Sequence, residues 1–281
     1  MIYPATNIRP AGVEGIFYPA DKFRLSAKIT TLLNEEKPLV NYKLCHHDII
    51  GGIIPHAGIK YCGRQQINFF EIVSHSATKP DTVVILHPNH FGYGPSVSVD
   101  DHEFWAVPTG MIRTDMDLAE KLEVPFSAIA QKNEHSAEVI VPFLIHFLGP
   151  GIMLVSINML DQQYQSALLT AHRLFNAIKL LKRKVLVIAS SDFSHFVKPE
   201  EAIHQDDMVL KDILSGDTEG VHSRIIRDDL SVCGYGPIMT LMEYSRMAFP
   251  EYKTEIISRG DSGNKVFSRN VVSYVSVLFY I

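Results

Sequence analysis

The sequence predicts an α/β fold, a three-layer sandwich around a mixed, largely parallel sheet with a hairpin insertion. Three observations carry this expectation. Short apolar, β-branched runs at residues 49–54, 82–86, 151–158 and 185–189 end in turn residues, as the buried strands of parallel sheets do. Between them lie segments whose apolar residues recur at spacings of three and four, the pattern of amphipathic helices. Residues 96–113 switch to short alternating runs with turns, which predicts a hairpin excursion.

The elements follow in order. Residues 1–20, rich in Pro and Gly, are expected to be extended. A helix from Ala20 to Asn34 has Asp21 as its N-cap, because a short carboxylate can accept a free N–H of the first turn. The first strand occupies 49–54, a helix 62–75, and the second strand Asp81–Leu86. After the hairpin come a helix at Asp115–Leu122, a strongly apolar helix from Glu134 to Phe147 and a strand at 151–158. Gln162–Leu181 is the most regular amphipathic helix, with Tyr164, Ala167, Leu168, Ala171 and Leu174 on one face. A strand at 185–189 precedes helices near 200–214, 218–227 and 236–247. Glu255–Ser258 and Val271–Tyr280 close the chain as strands, the last apolar enough to be interior, so that truncation there should be destructive.

No linker, repeat or low-complexity stretch interrupts the 281 residues, so one domain spanning 1–281 is expected. A net charge of -5 excludes nucleic acid as the main partner, since phosphate neutralisation needs a basic stripe. Three scattered cysteines without a C-x-x-C are expected to be free thiols in a reducing cytoplasm. The N-terminus has no apolar signal-peptide core. The longest apolar stretch, Val139 to Val155, is broken by Pro142, His146, Gly149, Pro150 and Gly151, which suits a buried helix and strand and not a membrane span.

The chemistry gathers at strand ends. The run 49–54 leads to His56, the run 82–86 to His87-Pro88-Asn89-His90, and the run 185–189 through Ser190-Ser191-Asp192-Phe193-Ser194 to His195. In a parallel sheet the ligand crevice lies beyond the carboxyl ends of the strands, so three imidazoles at one edge predict a site. Imidazole binds metals and moves protons near neutral pH. His56 and His90 need a third donor to hold a metal firmly, and the candidates are Cys233, Glu134, His135, Glu138, Asp192 and His195.

Cys233 stands just before a helix, in Val232-Cys233-Gly234-Tyr235-Gly236-Pro237, and is either a ligand or nucleophile or a small buried apolar residue. Glu134 and Glu138 suit the dipole of a first helical turn, and His135 would point from that turn towards the strand ends. Asp192 lies three residues before His195 and is placed to orient an imidazole. His46, His47, His75, His102, His172, His204 and His222 sit in polar surroundings and are expected to be solvated, whereas His87 is open to either role.

Taken together, the ordered motifs resemble the Memo family. They are Gly15-Ile16-Phe17-Tyr18-Pro19, Pro55-His56-Ala57-Gly58, Pro88-Asn89-His90, Asn133-Glu134-His135-Ser136-Ala137-Glu138, Ser190-Ser191-Asp192-Phe193-Ser194-His195 and Cys233-Gly234-Tyr235-Gly236-Pro237, followed by the final strand. The resemblance implies an α/β fold like that of class III extradiol non-haem iron dioxygenases, which hold Fe(II) with two histidines and a carboxylate. Carried over by motif, it implies metal positions at His56, His90 and Cys233, with His195 as acid–base group and His135 in the pocket. Fe(II) is the implied metal, with copper or zinc as alternatives that a soft thiolate favours. A small-molecule or peptide ligand and a functional link to a radical-SAM protein are implied as partners.

The chain has His87-Pro88-Asn89-His90 where many relatives read Gly-Pro-Ser-His, Phe17 where some members have a pocket tryptophan, and cysteine where the dioxygenases have a carboxylate. The leading expectation is a redox-type, dioxygenase-like metalloprotein with His195, His135 and Asp192 as catalytic groups. The alternatives are a non-catalytic module for phosphorylated or phenolic ligands, and a metal-free thiol hydrolase with Cys233 as nucleophile.

Overall fold

The computed structural model describes residues 7–264 and 269–281. β1 (Ile8–Arg9) leads through a turn to α1 (Lys22–Glu36), and β2 (Ile49–Ile54), α2 (Ile59–His75) and β3 (Thr82–Pro88) follow. The excursion contains β4 (Val97–Val99), β5 (Phe104–Val107) and β6 (Gly110–Thr114), then α3 (Met116–Lys121), α4 (Ala128–Gln131) and α5 (Val141–Leu148). β7 (Met153–Met159), α6 (Tyr164–Leu181) and β8 (Val185–Ser190) form the next unit. β9 (His195–Val197), α7 (Pro199–Ser215), α8 (Thr218–Arg227), α9 (Tyr235–Ala248), β10 (Lys253–Asp261) and β11 (Val271–Tyr280) complete the chain.

The main sheet runs in the order β1-β5-β6-β7-β3-β8-β2-β11-β10, with β4 on β7 and β9 on β11. β6, β7, β3, β8 and β2 are mutually parallel, and β11 lies antiparallel between β2 and β10. Helices cover both faces, which explains the unbroken apolar runs: Val84 and Leu86 enter the core under α6 and α9, while Val83 and Ile85 enter the core under α1, α2 and α5. The expected α/β sandwich with a hairpin insertion is the fold observed.

Glycine decides how closely the central layers approach. A Cβ at Gly51 would lie 1.9 Å from Val187 O, and one at Gly52 would lie 2.4 Å from the Phe69 ring. The Ile-Ile-Gly-Gly-Ile-Ile run therefore lets β8 and α2 close on β2 where any side chain would hold them apart. Asp21 caps α1 as expected, accepting from Arg24 N–H at 2.8 Å.

Two segments differ from the sequence expectation. The helix expected from Glu134 begins only at a 3₁₀ turn, Glu138–Ile140, and becomes α5 at Val141. Asn133 is left-handed at φ 63° and Pro142 occupies the first helical turn, so residues 134–137 form a turn and not a helical face. His195 does not sit on the end of β8 but opens its own short strand, β9, against β11. Of the extended N-terminal stretch, residues 1–6 lie outside the described residues, and only Ile8–Arg9 is strand.

β11 is interior, bonded on both sides, and its Ser276, Val277 and Phe279 are fully buried. Deleting residues 271–281 is expected to abolish cooperative thermal unfolding, because the ladders to β2 and β10 are lost together; circular dichroism melts check this.

Candidate metal centre

β3, β8 and β2 are neighbours in the sheet and point the same way, so their carboxyl ends open onto one edge. His56 leaves β2 there, His90 leaves β3, and Asp192 leaves β8. The fourth contribution comes from the turn before α9. A Cβ at Gly234 would fall 2.2 Å from Ser190 O, so only glycine lets this turn press against the end of β8. That contact brings Cys233 in: its Sγ lies 3.2 Å from His56 Nε2. One donor atom each from His56, His90 and Cys233 lie within 4.8 Å of one another.

Each ring is held through its other nitrogen. Ser190 donates its hydroxyl to the Ser136 carbonyl at 2.6 Å, so its Oγ accepts from His56 Nδ1–H at 2.7 Å. Glu134 Oε1 accepts from His90 Nδ1–H at 2.9 Å, and its Oε2 accepts the His90 backbone N–H at 2.7 Å. Both tautomers leave Nε2 as the lone-pair nitrogen, the arrangement in which metal-binding imidazoles are held. His135 stacks on His90 with ring centroids 4.6 Å apart and on Phe17 at 4.5 Å.

Burial pushes the His56 imidazole well below its usual range, helped by His135 and His90 beside it. Burial likewise lowers His135 and His87 to about 4. The Cys233 thiol is pushed well above its usual value, first by burial and then by Asp192. Burial would raise Glu134, but the hydrogen bond from His90 and the neighbouring imidazoles win, and it is held well below the carboxylate range. Asp192 is raised to about 6 by burial, against the opposing His56 N–H.

Some candidates stand apart from the donor set. Asp192 does not orient an imidazole ring: its Oδ1 accepts the His56 backbone N–H at 2.8 Å, and Ser190 holds the ring. The ring of His195 donates Nδ1–H to the Ser231 carbonyl at 2.7 Å. It lines a cavity of about 510 Å³ together with Phe17, Tyr61, His135, Asp192, Phe196 and Tyr274. Glu138 is no dipole carboxylate. It is fully buried, paired with Arg9 at 2.6 Å and accepting from Gly12 N, Val13 N and Tyr18 Oη, so it straps the N-terminal segment and Phe17 over the site. Glu134 is likewise buried and committed to His90 and Ser136.

Sequence reasoning missed the roles of Ser190, Ser231, Ser136 and Arg9, which depend on partners far along the chain. His102, expected to be solvated, is partly buried against Asp100, whose hydrogen bond raises it. Asp100 also accepts from Trp105, so its oxygens are already used. Cys45 and Cys62 are buried free thiols.

A pH dependence follows for the metal-free protein. His87 holds about 4 when folded against 6.5 as the ordinary value, so below 6.5 the unfolded chain binds a proton that the folded chain does not. Stability is lost between pH 6.5 and 4, about 3 kcal/mol from His87 alone, with His56 and His135 acting in the same direction. Asp192 opposes one of these three, because its folded carboxyl keeps a proton between about 6 and 3.8. Urea midpoints are expected to fall from pH 6.5 to 4, and the slope to flatten in His87→Gln.

The whole chain has relatives. A family model described as Memo-like protein matches residues 9–278. The chain is 33% identical over 277 residues to a MEMO1 family protein of Archaeoglobus fulgidus, across 98% of this chain and 100% of the relative. It is 31% identical over 274 residues to a MEMO1 family protein of Methanococcoides burtonii, across 96% and 99%. A crystal structure of an uncharacterized protein from Escherichia coli K12 overlays with TM-score 0.48 at 13% identity, covering 74% of this chain and 90% of that one, a likeness too distant to carry an argument. Because the match runs through every segment that builds the centre, the chain belongs to the Memo family.

Proposed function

We propose that this protein is a metal-binding, redox-type member of the family, with a dioxygenase-like centre at His56, His90 and Cys233. The observation that carries the reading is that one ring nitrogen each of His56 and His90 and the Cys233 thiol lie within 4.8 Å of one another beyond the strand ends. The donor chemistry fits a metal. Both imidazoles are fixed through Nδ1, and Cys233 Sγ stands 3.2 Å from His56 Nε2, a separation that two ligands of one ion can adopt. Fe(II) is the proposed metal, and the soft sulfur keeps copper and zinc as alternatives.

When bound, the metal would supply Lewis-acid and electron-transfer chemistry to a ligand in the neighbouring cavity. The chain's own groups do the rest. Phe17, Tyr61 and Tyr274 supply flat apolar walls that suit an aromatic or phenolic ligand and exclude water from it. His195, with Nδ1–H tied to Ser231, keeps Nε2 as the nitrogen able to take a proton from that ligand. Asp192 holds the His56 backbone and lies beside both the thiol and the cavity. His135, neutral and stacked between Phe17 and His90, keeps the His90 ring from turning.

A metal-free hydrolase fits less well. A thiol nucleophile needs a lowered pKa, whereas burial raises this one. The helix start that would favour a thiolate is engaged elsewhere: Gly236 N–H donates to Gln162 and Gly234 N–H to Ser191. The ligand-binding module draws on the same cavity. It is preferred if a phenol or phosphotyrosine peptide binds the metal-free chain as tightly as the loaded one.

Protein purified anaerobically and loaded with Fe(II) is expected to hold about one metal per chain. His56→Ala, His90→Ala and Cys233→Ser should each weaken binding about 100-fold or more; unchanged metal content in all three would falsify the assignment. Since His56 is already neutral and the Cys233 thiol is not ionised, loading near pH 7 should release about one proton from the thiol. Affinity should then rise about tenfold per pH unit below the thiol pKa. Calorimetry in buffers of different ionisation enthalpy measures the proton count.

A further inference from the structure

Both imidazole donors trace back to one residue. Ser136 is fully buried in the turn before α5. Its carbonyl accepts the Ser190 hydroxyl at 2.6 Å, and that hydroxyl oxygen takes the Nδ1–H of His56. Its own N–H and hydroxyl, at 3.0 and 2.8 Å, both donate to Glu134 Oε1, the oxygen that takes the Nδ1–H of His90.

The direction of the Ser136 hydroxyl is set from behind by His87, also fully buried. His87 Nδ1 lies 3.2 Å from Pro88 O and 2.9 Å from Ser136 Oγ. A carbonyl only accepts, so Nδ1 carries the proton, and Ser136 Oγ receives it and passes its own hydrogen to the charged Glu134 Oε1 at 2.8 Å in preference to Pro88 O at 3.1 Å. His87 Nε2 then accepts the Ser156 hydroxyl at 2.9 Å.

Gln131 completes the sense of the chain. Its Nε2 is buried with no partner among the described residues, while its Oε1 stands 3.3 Å from Ser156 Oγ. Exchanging the amide N and O gives Ser156 an N–H donor, so that the amide nitrogen is paired. Every donor from Gln131 through Ser156, His87 and Ser136 then points towards the Glu134 carboxylate.

We propose that Ser136 is a positioning residue for both imidazole donors: its hydroxyl, aligned by His87, fixes the Glu134 oxygen that holds the His90 tautomer, and its backbone carbonyl fixes the Ser190 hydroxyl that holds His56. Its effect on metal affinity rests on the metal-centre reading; the tautomers are a property of the metal-free chain. A buried serine that merely filled space would leave the distant rings unaffected.

The test uses the full chain with ¹⁵N-labelled histidine at mildly alkaline pH, reading ring tautomers by long-range ¹H–¹⁵N correlation, with Co(II) titration as the affinity probe. His56, His87 and His90 should all be Nδ1–H in the parent. In Ser136→Ala the His90 ring should acquire a detectable Nε2–H population and Co(II) affinity should fall about tenfold, with His56 unchanged because its arm uses the backbone carbonyl. Ser190→Ala should give the mirror result, loosening His56 alone. Parental tautomers at His90 and Co(II) affinity within twofold in Ser136→Ala would overturn the proposal. If that variant does not fold, His87→Gln takes its place, and a His90 ring unmoved there overturns it equally. A parent that takes up no Co(II) defeats the metal reading, and the tautomers still decide this one.

Discussion

Direct pairing of β3, β8 and β2 in one direction is the constraint from which the centre follows. Neighbouring strands lie about 4.8 Å apart, and parallel neighbours end on the same side, so the residues that leave them meet without long loops. His56, Ser190 to Asp192 and His90 are those residues. Gly51 and Gly52 permit the close packing of β2 that keeps this edge in place, and Gly234 lets the Cys233 turn dock against it.

Around that edge the polar groups are buried, and burial without partners would cost several kcal/mol for each charge. The structure meets this with two carboxylates that gather donors. Glu134 collects N–H and O–H groups from His90 and Ser136, and Glu138 collects those of Arg9, Gly12, Val13 and Tyr18. The first aims a ring and the second ties down the segment that carries Phe17. Arg9 is shared between Glu138, two backbone carbonyls and the face of Trp105, whose ring centroid is 4.1 Å away, so the strap is anchored in the hairpin excursion as well. Behind the His195 loop, Asp206 accepts from Ser194 and Ser273 and fastens that loop to β11.

This arrangement separates the buried positions that hold from those open to the cavity and solvent. His56, Asp192 and the serines behind them are buried, whereas His90 and His135 are partly exposed, and Phe196, next to His195, is 74% exposed at a left-handed φ of 59°. A bulky residue kept in that conformation at the cavity rim is local strain of the kind found where a chain turns a side chain towards a ligand.

The apolar runs, the turn residues closing them and the helical spacings between them were enough to establish the α/β class, the order of most elements and the histidines at strand ends, because each of those signals is local. Strand neighbours, by contrast, are chosen by packing across the whole sheet, so only the tertiary structure decided that β2 and β3 flank β8. The same holds for Glu134 and Glu138. Locally they read as first-turn carboxylates, but their partners at Arg9, Tyr18 and His90 lie tens of residues away, and the helix they were expected to open starts beyond them. Chemistry that depends on which nitrogen of a ring is held, and by what, is a property of contacts between distant segments, and no periodicity records it.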